Sequence, residues 1–158
     1  MKNTPTALRF TDETIQVVYQ ISGGYPYFVQ FICHELYDVV IRGMQSNTVP
    51  DVGRIFATVT QKLDIDFFAG RWAKTTDRQR DFLLSIVRIE GCEQEFTIQQ
   101  VVEASQQQLT KGFSSGHASQ LLQALSDAGL VYKNRRGKYA FAVPMLYDFI
   151  RRQAAESP

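Results

Sequence analysis

A helix that passes directly into a β-hairpin is the feature that most constrains the fold of this chain. The run occupies residues 121–143 and reads LLQALSDAGLVYKNRRGKYAFAV. Its first leucines are spaced as on one face of a helix, and Gly129 then ends that helix. Two short apolar segments follow, separated by a polar turn that contains Gly137, which is the pattern of a β-hairpin. The run therefore predicts a long helix joined to a small antiparallel sheet by a single corner.

The segments around this run complete an order of elements. Helices are predicted over residues 77–89 and 98–107, a third begins at Ser114 or Ser115, and Pro144 opens a terminal helix after the hairpin. An order of helix, helix, helix, hairpin and helix is that of a winged helix-turn-helix domain.

Three further helices are predicted nearer the N-terminus. The first begins after Thr11 and ends at a Gly-Gly pair, and the second spans about residues 26–42 and ends at Gly43. The third begins at Pro50 and Asp51 and extends toward the aromatic stretch at residues 67–72.

Together these patterns predict a mainly α protein, with a helical bundle over residues 1–72 and a winged helix-turn-helix domain with a small β-hairpin over residues 73–158. Hydrophobic residues make up 44% and charged residues 21% of the chain, which is typical of folded proteins. The sequence contains no apolar run of about 18 residues and no signal peptide, so we expect a cytoplasmic chain without a membrane partner.

The sequence offers no catalytic or metal site. Its two cysteines lie far apart and outside any CxxC motif; Cys33 is interpreted as a buried apolar residue and Cys92 as a loop thiol. No nucleophile, base and orienting group can be assembled from the motifs present, so we expect no enzyme in this fragment.

The predicted winged helix carries the candidate binding residues. A DNA-binding domain of this kind places one helix in the major groove and a basic wing over nearby phosphates. The polar candidates on the third helix are Ser115, His117, Ser119, Gln120 and Gln123, and those in the hairpin are Lys133, Arg135, Arg136 and Lys138. The helix lacks an arginine for guanine, and the net charge of the whole chain is only +1. Docking of a protein, with a solvated basic hairpin, is therefore an equal alternative.

The segment ISGGYPYFVQFICHEL, residues 21–36, resembles the Gly-x-Pro turn in the helical lid of P-loop ATPases of the AAA+/STAND type, particularly prokaryotic ones related to origin-recognition and archaeal ATPases. In that family a winged helix follows the lid, and the segments FFAGRW and TDRQRDFL resemble the stretch that links the two. The resemblance covers about residues 10–152 and implies that residues 1–72 are a lid-like module.

The resemblance also implies that a nucleotide binds near the turn between the first two helices. In that family the lid turn lies beside adenine and ribose, which places Gly24, Tyr25, Pro26 and Tyr27 at the nucleotide. The chain has no GxxxxGK[ST] motif, so it holds no cofactor itself; ATP and Mg would belong to the full-length protein, in a P-loop ATPase domain N-terminal to this fragment. Some relatives carry a sensor arginine where this chain has Tyr27.

The expected function is that of a non-catalytic C-terminal part of a nucleotide-dependent ATPase switch, whose winged helix binds DNA or a protein partner. The alternative is a free-standing winged-helix transcriptional regulator whose first three helices dimerise or bind a ligand.

Overall fold

A computed structural model describes residues 10–45 and 52–156 of the chain. This part is mainly helical with one small antiparallel hairpin, which confirms the predicted mainly α class. The elements in chain order are α1 (Asp12–Ser22), α2 (Pro26–Gln45), α3 (Val52–Leu63), a π-helical segment (Asp64–Ala69), α4 (Gly70–Ala73), α5 (Asp77–Ile86), α6 (Ile98–Gln108), α7 (Ser115–Asp127), β1 (Val131–Arg135), β2 (Lys138–Phe141) and α8 (Pro144–Glu156). The chain forms two compact units, Met1–Val59 and Thr60–Pro158.

Side-chain caps fix the starts of four helices. Thr11, Thr76, Thr97 and Ser114 each accept a hydrogen bond from the backbone N–H three residues later. At Thr76 and Thr97 a glutamine at that third position also accepts the N–H of the capping residue, which completes a capping box. These contacts confirm the starts predicted for α1, α5, α6 and α7.

In the first unit, a tight turn joins α1 to α2. Gly23 and Gly24 have φ of 59° and 73°, the left-handed region that favours glycine. The Ser22 hydroxyl accepts the N–H of Gly24 at 3.2 Å, and the Ser22 carbonyl accepts the N–H of Tyr25 at 3.1 Å. A Cβ on Gly24 would lie 2.8 Å from Cε2 of Tyr19, so the ring of Tyr19 also lies close over this turn.

The prediction that α2 ends at Gly43 was wrong. Gly43 is helical and buried, and α2 continues to Gln45. A glycine inside a helix costs about 1 kcal/mol relative to alanine, a cost that packing of the helix readily offsets. The predicted start of the third helix at Pro50 and Asp51 lies outside the described residues.

In the second unit, the π-helical segment and α4 pack against α8. The ring of Phe68 is 1% exposed and stacks on Phe149 with centroids 5.3 Å apart. Trp72 meets the same ring edge-on at 6.0 Å. The guanidinium of Arg152 donates to both carboxylate oxygens of Asp64, at 2.8 and 2.6 Å. The second unit thus includes residues before the predicted boundary between positions 72 and 73, and that boundary stays a prediction.

The core of the second unit lies between α5, α6, α7 and the hairpin. Phe82 and Phe113 are buried and meet edge-to-face at 5.2 Å. In the hairpin, β1 and β2 are antiparallel, with Val131 opposite Phe141. Phe96 adds a short bridge on the other side of β2, where its N–H and carbonyl bond to Tyr139 at 2.8 and 2.9 Å.

Among the described helices, none combines the length and the apolar character needed to cross a membrane.

Candidate nucleic-acid interface

The outer face of α7 is polar and uncharged over most of its length. Its inner face buries an apolar stripe, formed by Ala118, Leu121, Leu122 and Leu125. Four of the predicted binding residues are exposed on this helix, namely Ser115, Ser119, Gln120 and Gln123. Two of them are engaged within the helix, since Ser119 donates to the carbonyl of Ser115 at 2.9 Å and Gln123 donates to Asp127 at 2.8 Å. Gln120 makes no side-chain hydrogen bond to any described residue, so its amide is available to a ligand.

At the start of α7, a basic cavity lies beside His117. It is lined by Arg78, Lys111, Gly112, Ser114 and His117. His117 is half-buried, with its ring 5.5 Å from that of Phe113. The Arg78 guanidinium lies 4.2 Å above the same phenyl ring, donates to the carbonyl of Lys111 at 3.4 Å and pairs with the carboxylate of Asp81 at 3.5 Å. These contacts hold one cation in a defined position next to the first turn of α7.

Sequence reasoning missed Arg78 and Lys111 as candidates. They are 33 residues apart, and Arg78 falls in a helix interpreted only as part of the core. The contact between Arg78 and Lys111 depends on how α5 packs near the loop that precedes α7, so no local sequence motif predicts it.

The hairpin carries the remaining predicted residues. Lys133 and Arg136 are exposed and Lys138 is half-buried. Within the part of the chain that the structure describes, none of the three forms an ion pair. Their charges are therefore available to an anionic partner.

Arg135 differs from these three because it is paired with Glu95. Its Nη2 and Nε donate to Oε2 of Glu95 at 2.6 and 3.2 Å. Asn134 donates to the other oxygen, Oε1, at 2.7 Å. Hydrogen bonds from Arg135 first, and then from Asn134, hold the pKa of Glu95 below its ordinary value, so the carboxylate is charged at neutral pH.

A β-bulge explains how two adjacent residues reach one carboxylate. Lys133 lies opposite Tyr139, and Arg135 lies opposite Lys138, so Asn134 is an extra residue in β1. Neighbouring side chains of a regular strand point to opposite faces, whereas a bulge breaks that alternation. The local geometry of the hairpin therefore creates the contact with Glu95.

The charges of the second unit are unevenly distributed along the chain. Residues 104–147, which contain α7 and the hairpin, have five lysines and arginines and one acidic residue, Asp127. The net charge of +1 for the whole chain hides this local excess. The positive charge therefore lies in the hairpin and at Lys111 rather than on α7 itself, and Glu95 neutralises part of it at Arg135.

Residues 65–150 match the protein family described as Domain of unknown function (DUF8462), and the match covers more than half of the chain. The chain belongs to the DUF8462 family. No curated protein matches it. The DUF8462 match contains α7, the hairpin and the Glu95 pair, whereas the turn between α1 and α2 precedes it.

The predicted nucleotide-facing turn lies in the first unit. Tyr25, Pro26 and Tyr27 are exposed, while Gly24 is half-buried. The rings of Tyr25 and Tyr27 each lie 5.5 Å from the buried ring of Phe28. The turn thus presents two aromatic side chains beside a Gly-Gly corner.

Burial raises the thiol pKa of both cysteines of this DUF8462 protein. Cys92 lies in the turn after α5, as predicted, but it is fully buried, whereas Cys33 is half-buried rather than buried. Burial, and then the negative charge of Glu93, raise the pKa of Cys92 to about 11, so its thiol is protonated at neutral pH. The described residues contain no group of three or more His, Cys, Asp and Glu able to hold a metal ion.

Proposed function

We propose that this DUF8462 protein is the non-catalytic C-terminal part of a nucleotide-dependent switch, and that its second unit is a winged helix that binds duplex DNA. The observation that carries the proposal is the set of cations on both sides of α7, of which Arg78 is paired with Asp81 while Lys111, Lys133, Arg136 and Lys138 form no ion pair with any described residue. Arg78 and Lys111 lie at the start of this helix, and the basic hairpin follows its end. Phosphate contacts of this kind position a protein on DNA.

Binding of this kind would show little sequence selectivity. The exposed face of α7 offers amides and hydroxyls, of which Gln120 can bond a base edge, but it has no arginine for guanine. Lysine and arginine contacts to phosphates would supply most of the affinity, and such contacts do not distinguish sequences.

The nucleotide part of the proposal rests on the turn in the first unit. Its exposed tyrosines and glycine corner suit a contact with a flat base and a sugar. ATP and Mg would be held mainly by a P-loop ATPase domain as partner, because this chain lacks a phosphate-binding loop of its own. The nucleotide state of that domain would then change the position of the winged helix.

One observation favours the alternative, a free-standing winged-helix regulator whose first helices dimerise or bind a ligand. The first unit has an apolar groove, lined by Phe10, Ile15, Val18, Tyr19, Val29 and Cys33. Exposed apolar surface of this kind suits a second copy or an apolar ligand. Sedimentation analysis tests the dimeric form of this alternative: a stable dimer of this chain would favour the regulator, whereas a monomer would leave ligand binding by the first helices as the form to test.

DNA binding is tested by fluorescence anisotropy with random duplexes over a series of salt concentrations. With three or four neutralised phosphates, log affinity should fall against log salt with a slope of about −3 to −4. Replacing Lys133→Ala together with Arg136→Ala should weaken all duplexes similarly and flatten the slope by about two.

The matched control is Arg42→Ala with Arg54→Ala, which removes the same charge from the first unit and should leave the slope unchanged. If no duplex binds at low salt, or if the hairpin variant binds as the parent does, α7 and the hairpin are not a DNA interface. Docking of a protein partner would then explain this surface.

A further inference from the structure

We propose that Glu95 is a built-in competitor for DNA phosphate at the hairpin, which occupies Arg135 and Asn134 and prevents Arg135 from contributing a phosphate contact. The proposal rests on the DNA-binding function proposed above and names a residue that limits it. Glu95 was absent from the residues that the sequence indicated.

The carboxylate of Glu95 makes the contacts that a backbone phosphate would make. One oxygen accepts two N–H groups of Arg135, at 2.6 and 3.2 Å, and the other accepts the amide of Asn134 at 2.7 Å. A guanidinium binds carboxylate and phosphate oxygens with the same planar set of donors. A phosphate that approached Arg135 would therefore meet two of its five N–H donors already used, next to a like charge.

The backbone keeps this competitor in place. Glu95 directly precedes Phe96, which is fully buried and is joined to Tyr139 of β2 by two backbone hydrogen bonds. The Glu95 side chain is only 21% exposed, while that of Arg135 is 68% exposed. The carboxylate is thus held beside the turn end of the hairpin, and the guanidinium remains accessible to a ligand from solvent.

The surroundings of the pair leave room for a phosphate. A cleft lined by Gly91, Gln94, Glu95, Asn134, Arg135 and Lys138 surrounds it. Lys138 is the other cation in this cleft, and Glu95 is the one anion among these residues. Removing the charge of Glu95 would therefore leave two cations facing the same space.

Replacement of Glu95 by glutamine tests the proposal, because glutamine keeps the shape of the side chain and removes its charge. Glu95→Gln should gain about one phosphate contact, which steepens the salt slope by about 0.9 and tightens binding of every duplex about threefold to tenfold near 0.1 M salt. Arg135→Ala should leave the salt slope of the parent nearly unchanged, because the paired guanidinium makes no phosphate contact. In the Glu95→Gln background, Arg135→Ala should remove the whole gain.

Glu93→Gln is the matched control. Glu93 is exposed and lies two residues before Glu95, so this substitution removes the same charge without changing the contacts of Arg135. Thermal unfolding of each variant shows that it is folded, and Glu95→Ala provides a second variant if glutamine disturbs the turn. If the parent binds DNA and Glu95→Gln binds no better than Glu93→Gln, the inference is wrong and the DNA-binding function stands. If neither the parent nor Glu95→Gln binds any duplex, the DNA-binding function fails and the inference falls with it.

Discussion

Cys92 shows how burial changes the chemistry of a single side chain. Sequence alone places this thiol in a loop, and the loop is folded back so that the sulfur is 0% exposed. Burial and the charge of Glu93 raise its pKa to about 11. A thiol that stays protonated in the folded state, and loses its proton above about pH 8.5 when unfolded, makes folding depend on pH.

Cys92→Ala should therefore alter the alkaline stability of the protein. The contribution of the neutral thiol is fully present below about pH 8.5, and it is lost as the pH rises toward the folded pKa, because the unfolded state then binds fewer protons. Urea unfolding should show that the free energy of unfolding falls more between about pH 8 and about pH 10 for the parent than for Cys92→Ala. Equal losses in both proteins would mean that Cys92 does not contribute to the alkaline transition.

At the scale of elements, the π-helical segment places one fully buried ring, that of Phe68, against α8. Phe68→Ala should destabilise the protein by about 3–5 kcal/mol, because a fully buried phenyl ring that stacks on Phe149 leaves a cavity. The control is Phe67→Ala in the same segment. The ring of Phe67 is half-buried, so its removal should lower the free energy of unfolding by less. Chemical unfolding measures both, and similar losses for the two variants would contradict the packing described here.

Helix starts could be predicted from sequence because their causes are local. Thr76 and Thr97 need only the glutamine three residues later to form a capping box. Gly43 could not be interpreted in the same way, since its effect depends on what packs around it. The π-helical turn at Asp64–Ala69 also has no signature in the spacing of its apolar residues.

The exposed residues of the candidate site could be predicted from the sequence, but the contacts that they make could not. The polar face of α7 and the basic hairpin follow directly from the periodicity and the charges of the sequence. The Glu95–Arg135 pair joins residues 40 positions apart, and the Arg78–Lys111 contact joins residues 33 apart. Such contacts arise only when the elements pack, so the sequence could not show which cations remain available.

At the scale of the whole molecule, the extent of the second unit can be tested by truncation. A fragment of residues 60–158 keeps Phe68 and Asp64 against α8, whereas residues 73–158 lose both. Loss of a buried ring worth about 3 kcal/mol or more should lower the melting temperature of the shorter fragment by at least about 10 °C. Circular dichroism melts of the two fragments measure the difference, and equal melting temperatures would support a domain boundary between positions 72 and 73.

The Phe96 bridge leaves the hairpin with one open side, which has a consequence for self-association. β2 is paired on both sides, with β1 and with Phe96, so within the described residues β1 is the edge strand. An open edge can pair with a strand from another molecule, and proteins prevent this with charged residues and bulges. β1 has both, in Lys133, Arg135 and the extra residue Asn134. The cations and the bulge of this strand therefore oppose edge-to-edge pairing between separate copies of the protein.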